Sequence, residues 1–206
     1  MKFPIVRFIA AAFMLGLSLS TVAAQSAPAL VVPPVPDNLQ VPAGHTLFLG
    51  ATATGTQNYI CLSVAKRTWA WRFLGPQATL FVGGAGGGAQ QSSTHFLSVN
   101  PIEGALARPT WQDSIDTSRV WGRVRSSSTD PNYVAPGAIP WLLLETAGTE
   151  VGPTGGAFMT QTTFIQRVNT SGGVAPATGC SDDEHIGKVA LVPYTTDYFF
   201  YRANQN

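Results

Sequence analysis

Three histidines, His45, His95 and His185, are the only imidazoles in the 206-residue chain. No H-E-x-x-H or H-x-H spacing links them. A metal site would therefore need the fold to gather distant histidines with carboxylates, which β folds can do. The richest local group is Asp182-Asp183-Glu184-His185, and a solvated loop is the expected role for so polar a run. His95 lies inside the apolar run Thr94-His95-Phe96-Leu97, where a hydrogen-bonded core histidine is expected. Its nearness to a glycine-rich run still makes it the first choice for a functional histidine. Asp113 and Asp116, beside Trp111, are the candidate catalytic carboxylates. Their spacing of three equally suits an Asx turn, and that is the expected reading. No G-x-S-x-G elbow occurs.

The run Gly83-Gly84-Ala85-Gly86-Gly87-Gly88-Ala89 contains G-x-G-x-x-A, with Glu103 about twenty residues on. A dinucleotide fingerprint needs a helix after the glycines, and only Gln90 to Ser93 separate them from the next strand candidate. A hairpin loop is expected, and no cofactor is predicted. A metal, if one binds, would use His45, His95 or His185.

The elements that must position these residues read as strands. Candidate strands run over 45–53, 58–64, 69–73, 78–82, 94–99, 119–125, 141–146, 158–168, 188–192 and 197–202. Trp69, Trp71 and Phe73 alternate with Ala70 and Arg72, a period-2 pattern. The 21 glycines and 15 prolines break every apolar run short of helical length. The expected fold is all-β: one antiparallel sandwich or barrel of about nine to ten short strands. Trp69, Trp71 and Trp141 are assigned to its core, and Trp111, between Thr110 and Gln112, to a loop.

Residues 1–24 combine basic Lys2 and Arg7, an apolar stretch from Phe8 to Ser20 and a small-residue end at Ala23-Ala24. That is the pattern of a secretory signal peptide. Residues 25–41 form a proline-rich extended segment, and 42–206 a single β domain. Of the 12 basic residues, Lys2 and Arg7 leave with the leader, so basic and acidic groups nearly balance and no nucleic-acid footprint arises. Export makes one disulfide between Cys61 and Cys180 the expected state of the two cysteines. The mature chain is expected to be secreted or periplasmic, without stable membrane insertion.

Several phrases occur together: Gly55-Thr56-Gln57-Asn58-Tyr59-Ile60-Cys61, Trp71-Arg72-Phe73, His95-Phe96, Pro109-Thr110-Trp111, Ile139-Pro140-Trp141 and the long run from Thr163 to Pro176. With Cys180 and Val192 to Tyr201, they resemble the secreted bacterial and fungal domain-of-unknown-function family 3455. The resemblance implies an exported, β-rich protein and assigns no catalytic residue or cofactor. Two departures stand out. Asp116-Thr117-Ser118 replaces the family's usual Asp-Gly-Ser, and 98–108 looks like an insertion between His-Phe and Pro-Thr-Trp.

These readings leave the biochemical activity unknown. The leading expectation is a binding or structural role at the envelope or outside the cell, toward a small ligand or glycan. The alternative is a secreted enzyme or metalloprotein with its site near His95, Trp111 and Asp113.

Overall fold

A computed structural model describes residues 30–83 and 88–205. Residues 1–29, with the expected signal peptide, Gly84 to Gly87 of the glycine-rich run, and Asn206 lie outside the described residues. Eight antiparallel strands run in sequence order and close on themselves: β1 (His45–Ala65), β2 (Thr68–Val82), β3 (Gln90–Asn100), β4 (Leu106–Asp113), β5 (Arg119–Ser128), β6 (Trp141–Glu150), β7 (Phe164–Gly172) and β8 (Val189–Ala203). The last strand pairs with the first from His45↔Ala203 to Ile60↔Val189. The fold is therefore a closed barrel.

Eight strands replace the nine or ten expected because apparent turns lie within strands. Thr54-Gly55-Thr56-Gln57 reads as a turn, yet Gly55 pairs with Ala78 on one side and Tyr194 on the other. A Cβ on Gly55 would sit 2.1 Å from the Gln77 carbonyl oxygen. Glycine is needed there for close approach of two backbones. Gly75-Pro76 likewise lies within β2, and Pro193 within β8. Conversely, β4 escaped notice because Pro109 interrupts its pattern. Residues 158–161, expected as strand, form a 3₁₀ turn before β7.

Inward positions alternate small and large. Ala51, Ala53 and Ala78 face Trp111, Tyr198 and Phe200 within one buried cluster, the mixture that fills a small barrel. A second cluster lies on the outer face, where Trp141, Leu143, Phe164, Phe199 and Tyr201 are covered by Leu39. The proline-rich segment is thus a strap, with Val32, Val35 and Val41 also packed against the wall. Gln166 fastens it by donating from Nε2 to the Leu39 carbonyl at 2.8 Å, while Tyr201 donates to Gln166 Oε1 at 2.6 Å.

Beyond Ile60, β1 and β2 project past the barrel. Here Trp69 and Trp71, expected in the core, are half-buried beneath the β7–β8 loop. Their indole N–H groups donate to Asp183 and to the Thr178 carbonyl. The Cys61–Cys180 disulfide holds the same loop down, linking residues 119 apart. Alternation was a true strand signal, but the buried face is provided by a loop rather than by the core. Trp141 is buried, as expected, though in the outer cluster.

Candidate ligand-binding cavity

His95 and Trp111, in the two phrases separated by 98–108, pair directly across β3 and β4. The intervening residues lengthen the hairpin and do not part the two. His95 is 3% exposed and Trp111 1%. Their rings stack with centroids 4.2 Å apart at 11°. Tyr198 meets both rings edge-on, at 5.3 Å and 5.4 Å. The loop position expected for Trp111 is wrong. Thr110 and Gln112 read as polar flanks because they face away from Trp111 along the same strand.

His95 Nδ1 lies 2.9 Å from the Thr110 carbonyl oxygen. The carbonyl can only accept, so Nδ1 carries the proton and the neutral ring keeps a lone pair on Nε2. Burial, reinforced by the positive charge of Arg167 against the Thr110 bond, lowers the imidazole pKa to about 3.

Above this aromatic floor lies a cavity of about 270 Å³. Its walls come from every strand: Gln57 and Tyr59 of β1, Phe73 and Pro76 of β2, and then His95 and Trp111. Val124 of β5, Leu142 and Leu144 of β6, Arg167 of β7 and Tyr198 of β8 complete them. The volume lies just below the ~300–1,000 Å³ typical of small-molecule sites. Between β4 and β5 only Thr110↔Trp121, Trp111↔Val120 and Gln112↔Arg119 are paired. Past that point the strands separate, with Pro109 on one side and half-exposed Val124 on the other, both lining the cavity. Phe73 of β2 and Val124 of β5 are the exposed lining residues and mark where the cavity meets solvent.

The rim is built by local constraints. Ile139 N donates to the Gly172 carbonyl, Thr170 donates to the Ile139 carbonyl, and Tyr59 OH donates to the Gly173 carbonyl at 2.7 Å. Gly173 has φ +83°, and a Cβ there would press on Gln57 and Tyr194 at 3.0 Å. Only glycine suits that corner.

Arg167 is the one charged side chain among the cavity-lining residues. It pairs with Leu142 and Tyr198, both lining residues, and so points inward. Its Nε and Nη2 donate to the Pro140 carbonyl at 3.2 Å and 2.8 Å. Among the described residues it forms no ion pair. Its charge reaches the surrounding tyrosines: burial raises the pKa of Tyr59 and Tyr198, and Arg167 opposes both shifts. Burial and the neighbouring Tyr198 raise that of Tyr194. Trp111 Nε1 is buried without a hydrogen-bond partner, and Gln57 Nε2, Tyr194 OH and Tyr198 OH are buried beside one another without a well-formed hydrogen bond.

The carboxylates lie elsewhere. Asp113 Oδ1 accepts from the Ile115 and Asp116 amides at 2.8 Å, forming the Asx turn. Asp116 accepts from Ser118 and, through Oδ2, from the Phe158 amide. Both line a separate hollow with Leu49, Val82 and Phe158. His45 meets the Pro42 carbonyl and the edge of Phe164, and His185 meets Asp182 at 2.7 Å. Among the described residues, no three His, Cys, Asp or Glu side chains gather as metal ligands. A broader groove outside, lined by Thr54, Asn58, Leu74, Leu97 and Leu191, is open to solvent and carries no charged side chain.

Sequence reasoning missed Gln57, Arg167 and Tyr198 as site residues. A signal was present in Phe164-Ile165-Gln166-Arg167-Val168. Two adjacent polar residues in a strand flanked by apolar neighbours face opposite sides, so one of them must face inward.

A family model described as "Protein of unknown function (DUF3455)" matches residues 42–202. No curated protein and no solved structure matches the chain. Among the described residues, no helix is long and apolar enough to cross a membrane.

Proposed function

The chain belongs to that family of unknown function, and from its own geometry we propose that it is an exported barrel that binds a compact small molecule with an apolar or aromatic body. One observation carries the reading: a cavity walled by all eight strands and open beside Phe73 and Val124. Export is supported by the leader pattern and by the disulfide, a bond suited to oxidising compartments. Phe73 and Val124 offer exposed apolar surface above the closed His95–Trp111 floor.

Binding is favoured over catalysis by the state of the candidate groups. A histidine with a pKa near 3 is a weak base at neutral pH and acts as a hydrogen-bond acceptor. Asp113 and Asp116 are committed to backbone amides. A glycan is less well served than a small aromatic, because the walls offer few polar groups along their length.

Calorimetric titration with neutral cinnamamide tests this. One saturable site is expected, weakened at least tenfold by Val124→Trp, which obstructs the entrance from a half-exposed position. Equal affinity in Val124→Trp, or failure of small aromatic acids and amides alike to saturate, would refute it.

A further inference from the structure

We infer that the cavity selects anionic ligands: compact carboxylates whose apolar or aromatic body lies against the apolar walls while the carboxylate meets Arg167. The inference rests on the small-molecule reading above and specifies the chemical class.

Arg167 is an unusual residue for an inward position. A guanidinium facing a barrel interior loses hydration and is normally compensated by a carboxylate. The Pro140 carbonyl provides only a neutral partner, through Nε and Nη2, and among the described residues Arg167 has no ionic partner. Every other residue lining the cavity is apolar, neutral-polar or, in His95, held neutral. The cavity thus carries one unbalanced positive charge. Cationic ligands are repelled, and neutral ones leave the guanidinium uncompensated.

A carboxylate brings two oxygens that accept in a fork matching guanidinium. Gln57 Nε2, Trp111 Nε1 and Tyr198 OH are fully covered by protein, so Arg167 is the group that meets the ligand's charge. The volume of about 270 Å³ limits the body to roughly the small end of ligand sizes. Phe73, Val124 and Pro140 make the way in apolar.

The test uses matched acid–amide pairs: benzoate with benzamide, cinnamate with cinnamamide, and octanoate with octanamide. Each is titrated into the mature protein at pH 7.5 and low salt. The acid of at least one pair is expected to bind at least tenfold more tightly than its amide. In Arg167→Gln, which retains a donor for the Pro140 carbonyl, the acid-over-amide preference should vanish. Arg167→Lys should restore part of it. Unchanged thermal melting of the variants distinguishes lost recognition from lost folding. Equal affinities for acid and amide in the wild type would overturn the inference while leaving the binding reading intact. So would a preference that survives Arg167→Gln. Absence of binding across all six probes would overturn both.

Discussion

Acidification should destabilise the barrel through His95 well before the carboxylates titrate. The folded protein binds a proton at His95 only near pH 3, whereas an unfolded chain binds it near the ordinary value of about 6.5. Between those limits the unfolded state holds more protons, so stability falls as pH drops. Above pH 6.5 the effect is absent. Each pH unit inside the window is worth about 1.4 kcal/mol, so lowering the pH from 6.5 to 4.5 should remove about 2.5 kcal/mol from the ~5–15 kcal/mol of a typical domain. Glu103, whose pKa is lowered to about 2 by Arg108, and Asp116 and Asp182, also lowered, lose their contributions only as pH falls through the ordinary carboxylate range. Above pH 4.5, the difference between the wild type and a variant lacking His95 isolates its contribution. Urea denaturation at pH 7.5, 6.5, 5.5 and 4.5 should be run on the wild type and His95→Phe. Phenylalanine keeps a ring against Trp111 but removes the bond to Thr110, at a cost of about 1–2 kcal/mol at pH 7.5. It also removes the proton linkage, so the two stability curves should converge on acidification and cross near pH ~5.5. Parallel curves would show that His95 is not held neutral by burial.

Three further outcomes follow from the packing. Replacing Cys61 and Cys180 together by serine removes a link closing 119 residues, and the chain-entropy estimate is a loss of about 3–5 kcal/mol, read from the urea midpoint. Leu39→Ala, at a fully buried strap position, should cost about 2–4 kcal/mol. It should leave cinnamate affinity unchanged by titration, because the strap lies on the outer face. Gly55→Ala places a Cβ against the Gln77 carbonyl and should lower stability by more than about 3 kcal/mol in the same denaturation assay.

The all-β class was legible because period-2 alternation and frequent glycine and proline are local signals. Closure into a barrel was not, since it depends on β8 returning to β1, and no residue type marks that pairing. Strand number was misread where Gly55, Pro76 and Pro193 sit within long bent strands. The disulfide was legible from two cysteines in a chain with a leader pattern. The burial of His95 was legible from its apolar setting, and the Asx role of Asp113 from its spacing. Trp111 was misplaced because Pro109 hid its strand. Arg167 was overlooked because a charged residue is ordinarily assigned to the solvent face. Its inward position follows only from the register with Leu142 and Tyr198.

The most direct test of the central claim is the indole N–H region of a ¹H–¹⁵N correlation spectrum during titration with cinnamate. The five tryptophans report separate places: Trp111 in the cavity floor, Trp69 and Trp71 under the β7–β8 loop, Trp121 bonded to Ser98, and Trp141 beneath the strap. The account predicts a saturable shift of the unpartnered Trp111 N–H, with the other four resonances nearly unmoved. Saturation that leaves Trp111 in place, or moves only Trp69 and Trp71, would contradict a site inside the barrel.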